Sequence, residues 1–247
     1  MPALVLVHGH PETSAIWGPL MPYLNRSPLI PVSPPGFGSV RPNGFKAEMG
    51  DYRDWLIQLL EEFREPVDLL GHDWGGVHVI NLVLARPDLV NSWIVDDIGL
   101  FDPEYDWHPV AKEWQDSVSG RAALRDRFEG TFDQRLGHAT SLGMSGEVAE
   151  RIAAGMGAEL SGAAFDLYRS GAQPALRVIG QELEKAATRP GLVLRPMLDR
   201  TTGTEQMVRR AAHRAGATVV DLPDAGHWWM LDGPQTAAVA INEFRRR

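Results

Sequence analysis

The stretch Leu69-Leu70-Gly71-His72-Asp73-Trp74-Gly75-Gly76 leaves this chain few ways to fold. Val67, Leu69 and Leu70 read as a strand buried on both faces, and Val77, Ile80, Leu82, Val83 and Leu84 as a predominantly apolar helix. Only a tight turn separates the two. In turns of the form Gly-x-Ser-x-Gly, glycines let a strained elbow lift one nucleophilic side chain above the end of a sheet. The middle position here is Asp73.

A carboxylate and a hydroxyl do different chemistry at such a position. Serine must lose a proton before it attacks a carbonyl, whereas an ionised Asp is already a nucleophile and suits displacement at a saturated, electrophilic carbon. The product is an alkyl ester on Asp73. Water must then cleave that ester, which calls for a His base and a third group to orient the His. The alternative is a buried Asp that merely ends a strand.

Taken in order, the chain alternates strand and helix around this elbow. The run from Ala3 to Val7 reads as a buried strand ending in His8-Gly9-His10-Pro11, where Gly9 lets the backbone bend the His10 N–H towards the elbow. With the Trp74 N–H it forms a candidate pair for a negative oxygen. Ile16, Trp17, Leu20, Met21 and Leu24 predict a packing helix that starts at Thr13 or Ser14, followed by a strand over Leu29 to Val32 and a turn-rich loop. A helix carries Tyr52, Trp55, Leu56, Leu59, Leu60 and Phe63, and Pro66 ends it. Trp93-Ile94-Val95 forms a strand ending at Asp96-Asp97, on the sheet edge where such folds build their sites. This order predicts an α/β fold with a mostly parallel sheet flanked by helices.

From about 101 to 189 the alternation stops. That part is helical by pattern and reads as a compact cap over the site, with Tyr105, Trp107, Trp114, Phe128, Phe132, Phe165 and Tyr168 as its aromatics. Strands return at Pro190 to Leu194 and Thr218 to Leu222, with Asp199 in the loop after the first and Gly226-His227 after the second. The last helix, about Pro234 to Phe244, precedes three arginines that suit the negative end of its dipole. The expected division is a core of residues 1–100 and 190–247 with a cap of 101–189.

Composition narrows the function. At 247 residues, 44% apolar and 23% charged, one large domain with an insertion is expected. A formal charge of −8 argues against nucleic acid or an anionic membrane as partner, leaving a small-molecule substrate. With no cysteine there is no thiol nucleophile and no thiolate metal site. The apolar run at Ala3 to Val7 is too short for a signal-peptide core, so a cytoplasmic location is expected, and oligomeric state is left open. His8, His10, His72 and Asp73 can be drawn as a metal cluster, but His8 and His10 straddle a glycine turn, so no metal and no cofactor is expected. His72 and His78 read as packing and hydrogen-bonding residues.

His8-Gly9-His10-Pro11, Pro35-Gly36-Phe37-Gly38, Gly71 to Gly76 and Gly226-His227 resemble, in order and approximate spacing, the Asp-nucleophile branch of the α/β-hydrolase superfamily. That branch holds haloalkane dehalogenases, haloacetate dehalogenases and epoxide hydrolases. The resemblance covers both core segments, while the cap matches by position and helical character. It implies the α/β-hydrolase fold, Asp73 as nucleophile, His227 as the base that activates water, and the N–H groups of His10 and Trp74 as oxyanion or halide donors. The orienting acid is then Asp97 or Asp199, and the position of Asp97, 24 residues after Asp73 and just past a strand, favours Asp97. Phe37, Tyr105, Trp107, Trp114 and Tyr168 are the substrate-pocket candidates.

Three reactions compete within this resemblance. A dehalogenase needs ring N–H donors for the departing halide; where haloalkane dehalogenases often have Asn this chain has His10, for which Trp107 or Trp114 can substitute. An epoxide hydrolase needs an acid for the ring oxygen, and Tyr105 and Tyr168 are the cap tyrosines. The arginines by which haloacetate dehalogenases hold a carboxylate are replaced by Trp74, Val77 and His78. Dehalogenase-like cleavage of a carbon–halogen bond in a small apolar substrate is placed first, epoxide hydrolysis second, and a non-catalytic binding protein of the same fold third. An esterase is disfavoured because Asp73 attacking an ester would give an anhydride.

Overall fold

The computed structural model of the chain describes residues 2–25 and 28–244. Six strands, β1 (Leu4–Val7), β2 (Leu29–Val32), β3 (Val67–Gly71), β4 (Val90–Val95), β5 (Gly191–Pro196) and β6 (Ala217–Leu222), form one parallel sheet in the order β2-β1-β3-β4-β5-β6. The central strands bury continuous apolar runs, and Leu4 to Val7 are fully buried. At one edge β2 is half-buried and contains Pro31, a residue that an edge strand tolerates because one side of it needs no ladder hydrogen bond.

The helices follow in chain order as α1 (Met49–Glu61), α2 (Trp74–Ala85), α3 (Pro109–Gln115), α4 (Gly120–Phe128), α5 (Phe132–Ser141), α6 (Gly146–Gly155), α7 (Ala158–Ser170), α8 (Ala175–Gly180), α9 (Glu205–Arg214), the single turn α10 (Trp229–Asp232) and α11 (Pro234–Phe244). Six of these, α3 to α8, intervene between β4 and β5 as a helical insertion. Among the described residues no helix is long and apolar enough to cross a membrane.

One expected element differs. Residues 14–24 form two short 3₁₀ turns, Ser14–Trp17 and Met21–Tyr23, rather than one helix. Their apolar spacing suits a helix, but Pro19 and Pro22 lack the N–H groups that an α-helix would need. The three arginines after Phe244 lie outside the described residues.

The strand order decides where chemistry can gather. From β1 the chain crosses to β2 on one side and returns to β3 on the other, so the ends of β1 and β3 diverge and leave a crevice. His10 follows β1 and Asp73 follows β3. Helix α2 packs directly against β1, since a Cβ on Gly75 would stand 2.1 Å from the Val7 carbonyl oxygen.

Candidate active site

Asp73 stands between β3 and α2 with φ 51° and ψ −129°, a conformation that costs a non-glycine residue about 1–3 kcal/mol. Its backbone is pinned on both sides. The Asp73 N–H donates to Asp96 Oδ1 at 3.1 Å, and its carbonyl accepts from the Gly76 N–H at 2.9 Å. The glycine at 71 is required by close approach, because a Cβ there would lie 2.6 Å from Gly76 Cα. One side-chain oxygen, Oδ1, accepts from the His10 N–H at 2.9 Å. Trp74 opens α2, so its amide has no acceptor within the helix.

His227 lies opposite, with Nε2 3.9 Å from Asp73 Oδ2. Its Nδ1 donates to Asp199 Oδ2 at 2.9 Å, and Asp199 Oδ1 is held by the Thr201 N–H and hydroxyl, each at 2.7 Å. The preference for Asp97 as orienting acid is therefore corrected in favour of Asp199. Asp97 turns beneath α2, where a Cβ on Gly76 would stand 2.2 Å from its Oδ1, and its carboxyl oxygens make no hydrogen bond to another residue. Both carboxylates sit near the same sheet edge, but the loop after β5 presents its acid to the His and the loop after β4 buries Asp97.

The charges follow from these surroundings. Burial pushes the Asp73 carboxyl up to about 6, with His227 opposing. Burial also acts on Asp199, but the hydrogen bond and charge of His227 prevail and hold it well below the usual carboxylate range. His227 is raised: burial resists its charge, the Asp199 hydrogen bond retains its proton, and His72 pushes the other way. Asp97 is pushed well up by burial first and then by Asp96 and Asp73.

Beneath these atoms lies a buried ionic cluster. His72 Nδ1 is 2.5 Å from Asp96 Oδ2 and its Nε2 3.2 Å from Glu12 Oε1. Asp96 also accepts from Trp229 Nε1 at 2.5 Å, and Glu12 from the Gly9 N–H at 3.1 Å and Trp228 Nε1 at 2.8 Å. Donor atoms of Glu12, His72 and His227 lie within 4.8 Å of one another. Burial opposes a charge on His72, but the charges of Asp96 and Glu12 prevail and raise it well above the usual histidine range, which favours a protonated ring over a metal ligand.

A cavity of about 200 Å³ opens over Asp73 and His227. Of the sequence candidates, Trp114 and Tyr168 line it, together with His10. The other three pocket candidates do not. Phe37 packs against the edge of the His10 ring, centroids 5.8 Å apart; Trp107 donates its Nε1–H to the Gly171 carbonyl at 3.1 Å; Tyr105 donates its hydroxyl to the Thr201 carbonyl at 2.8 Å. Lining residues that went unassigned include His108, Arg127, His138, Leu142 and Trp228. Trp228, adjacent to His227, carries a signal in its position; the residues of the helical insertion carry none. A larger depression of about 650 Å³ is bordered by Asp199 and Arg195 but by neither Asp73 nor His227.

Tyr168 is a buried polar group of the wall. Its hydroxyl is 3.5 Å from His10 Nδ1, and burial, then the charge of Asp73, push it well above the usual phenol range. His10 is lowered to about 3 by burial and is neutral.

Residues 4–240 match the model of the alpha/beta hydrolase family. Among curated proteins, the chain is 32% identical over 112 residues to a pimeloyl-[acyl-carrier protein] methyl ester esterase of Legionella pneumophila (strain Corby), covering 44% of each chain. It is 27% identical over 151 residues to AB hydrolase superfamily protein YfhM of Bacillus subtilis (strain 168), covering 55% of this chain and 53% of that one. The chain thus spans about half the length of the curated relatives it matches. Among solved structures, it superposes with a TM-score of 0.72 and 22% identity on E-2-(acetamidomethylene)succinate hydrolase, covering 100% of this chain and 92% of the other. With haloalkane dehalogenase DbeA from Bradyrhizobium elkani USDA94 the TM-score is 0.71 at 20% identity, covering 99% and 91%. These two likenesses show the fold.

Proposed function

The chain belongs to the alpha/beta hydrolase family, and we propose that it hydrolyses a small epoxide through an ester on Asp73. The observation that carries this reading is the Tyr168 hydroxyl. It belongs to the wall of the same cavity as Asp73 and His227, and it stands 3.5 Å from the ring of His10, whose backbone N–H holds Asp73 Oδ1. The other cap tyrosine, Tyr105, has spent its proton on the Thr201 carbonyl.

In this reading Asp73 Oδ2, the oxygen not held by His10, attacks a ring carbon. The carbon–oxygen bond of the ring breaks and Tyr168 gives its proton to the departing oxygen. The charge of Asp73 disappears as the ester forms, which relieves part of what opposes a phenolate at Tyr168. His227 Nε2 then takes a proton from water, and the hydroxide attacks the Asp73 carbonyl carbon. The N–H groups of His10 and Trp74 face the resulting oxyanion. Collapse releases a vicinal diol, and the proton on His227 returns to Tyr168.

A second reading, displacement of halide from a haloalkane, is favoured by Trp114, whose Nε1–H is buried without a partner in a residue that lines the cavity. Its weakness is the second donor, since Trp107 is committed to Gly171. The ester cleavage named for the Legionella relative is not adopted, because attack by Asp73 on an ester carbonyl yields a mixed anhydride.

Tyr168→Phe separates the two. Epoxide opening is expected to fall by about 10²-fold or more, while turnover of any accepted haloalkane stays near the wild-type rate. Undiminished epoxide turnover in this variant would refute the assignment.

A further inference from the structure

The cavity over Asp73 holds a charge that the proposed chemistry does not use. Its wall contains one carboxylate, that of Asp73, and one guanidinium, that of Arg127. Asp73 comes from the sheet side, whereas Arg127 stands in the last turn of α4, in the helical insertion, and is exposed. The cavity therefore runs from the proposed nucleophile to a cation where it meets solvent.

Arg127 has no counter-ion in the protein. Among the described residues it forms no ion pair, whereas Arg121 of the same helix is held by Asp166 at 3.3 Å. Its guanidinium carbon lies 5.7 Å from the ring centre of Trp114, another wall residue, and an indole face attracts a cation at that range. The contact keeps the charge beside the cavity. A role in complementing the negative end of the α4 dipole does not account for this placement. Arg125 lies in the same turn and serves that end equally, yet only Arg127 reaches the cavity.

The charge is felt along the wall. Burial and then Arg127 lower His138, a wall residue whose ring meets the edge of Phe128 at 5.3 Å between centroids. Burial is also the main cause that lowers His10, and Arg127 is among the charges that add to it. A neutral His138 keeps one N–H, so the guanidinium has a second donor near it and no acid to neutralise it.

We propose that Arg127 and His138 form an anion subsite of this cavity, so that the substrate is an epoxide carrying a carboxylate at the end remote from the ring. The epoxide part rests on the reading of Asp73 and Tyr168 given above; the anion subsite does not. Trp74, Val77 and His78 leave no cation just after the nucleophile, and the insertion supplies one from the opposite wall. A cation is needed there, because Asp73 and a formal charge of −8 both repel an anionic substrate. A guanidinium at the solvent end also orients such a substrate, with its carboxylate outward and its ring towards Asp73.

Wild-type protein, Arg127→Gln and Arg127→Lys are compared on a homologous series of terminal epoxides ending in a carboxylate and on 1,2-epoxyalkanes of matching length. Wild type should turn over the best-fitting acid with kcat/KM about tenfold or more above its neutral counterpart, a preference that shrinks at high salt. Arg127→Gln should lower that ratio about tenfold, chiefly through the KM of the acid, and Arg127→Lys should restore part of it. A ratio that Arg127→Gln leaves unmoved would overturn the proposal, since loss of a dipole contact lowers Tm without changing the preference. Binding is read without chemistry by NMR titration of the His138 ring. Hexanoate should raise its midpoint in wild type and not in Arg127→Gln, because a nearby anion favours the charged imidazole. A midpoint that hexanoate does not move in wild type would contradict the subsite. If neither epoxide series reacts while hexanoate still raises His138, the epoxide reading fails and the anion subsite stands.

Discussion

Asp199 Oδ2 accepts the Nδ1 proton of His227 at 2.9 Å, which fixes the tautomer and leaves Nε2 as the basic nitrogen on the side of Asp73. Thr201 holds the other oxygen of Asp199 through both its amide and its hydroxyl, so the carboxylate cannot rotate away. Asp199→Asn is expected to slow ester breakdown by about 10²- to 10⁴-fold while ester formation continues, because the amide no longer stabilises the imidazolium. Single-turnover kinetics that resolve the two steps check this.

Asp97→Asn should leave both steps nearly untouched and make the protein more stable at neutral pH. The wild-type carboxyl is buried against α2 without a partner on another residue, and its folded-state value lies well above the ordinary 3.8. A group raised on folding contributes stability at pH below its unfolded value and loses it as pH rises towards the folded one. The amide has no such dependence. The Tm of the variant should therefore gain on wild type as pH rises above 3.8, which thermal melts at a series of pH values will show.

Gly9→Ala probes the spacing between the first loop and the nucleophile. A Cβ at Gly9 would stand 2.1 Å from Asp73 Oδ1, and its three nearest atoms all belong to the Asp73 side chain. The clash falls on the carboxylate rather than on the sheet. Expected is a loss of about 10²-fold in ester formation with a modest change in Tm, measured by rapid-quench mass spectrometry and melting.

Asp73, as the proposed nucleophile, sets its own acid limit. Because burial raises Asp73 to about 6, acidification should remove the carboxylate there rather than near 3.8. Ester formation should fall about tenfold per pH unit below that point, one proton being involved. A rate that stays full down to pH about 4 would show that Asp73 is not so perturbed.

Much of this arrangement was legible in the residues. The parallel sheet follows from buried apolar runs alternating with helical spacing, and the elbow from glycines whose absence of a Cβ the packing of α2 demands. The approach of the His10 amide to the elbow was readable too, because Gly9 lets the backbone bend sharply there. What escaped depends on tertiary detail. Asp97 and Asp199 both follow strands that end at the same sheet edge, and only the hydrogen bonds of the 199–201 turn decide which one meets His227. Trp107 looks like a pocket residue until Gly171 captures its N–H. Glu12 carries no signal in its sequence position, yet it is fully buried, with partners from the ends of two other strands, His72 after β3 and Trp228 after β6. The apolar spacing of residues 14–24 concealed two prolines that forbid a helix.

The most direct test of the account is intact-mass analysis of His227→Gln protein after incubation with aryl epoxides and haloalkanes. Without its base the protein should accumulate the ester, seen as a mass increase equal to the whole epoxide and mapped by peptide analysis to Asp73. An increase equal to an alkyl group from a haloalkane, with none from epoxides, would move the reaction to dehalogenation. No adduct at Asp73 with either class, in protein shown to be folded, would contradict the claim that Asp73 is the nucleophile.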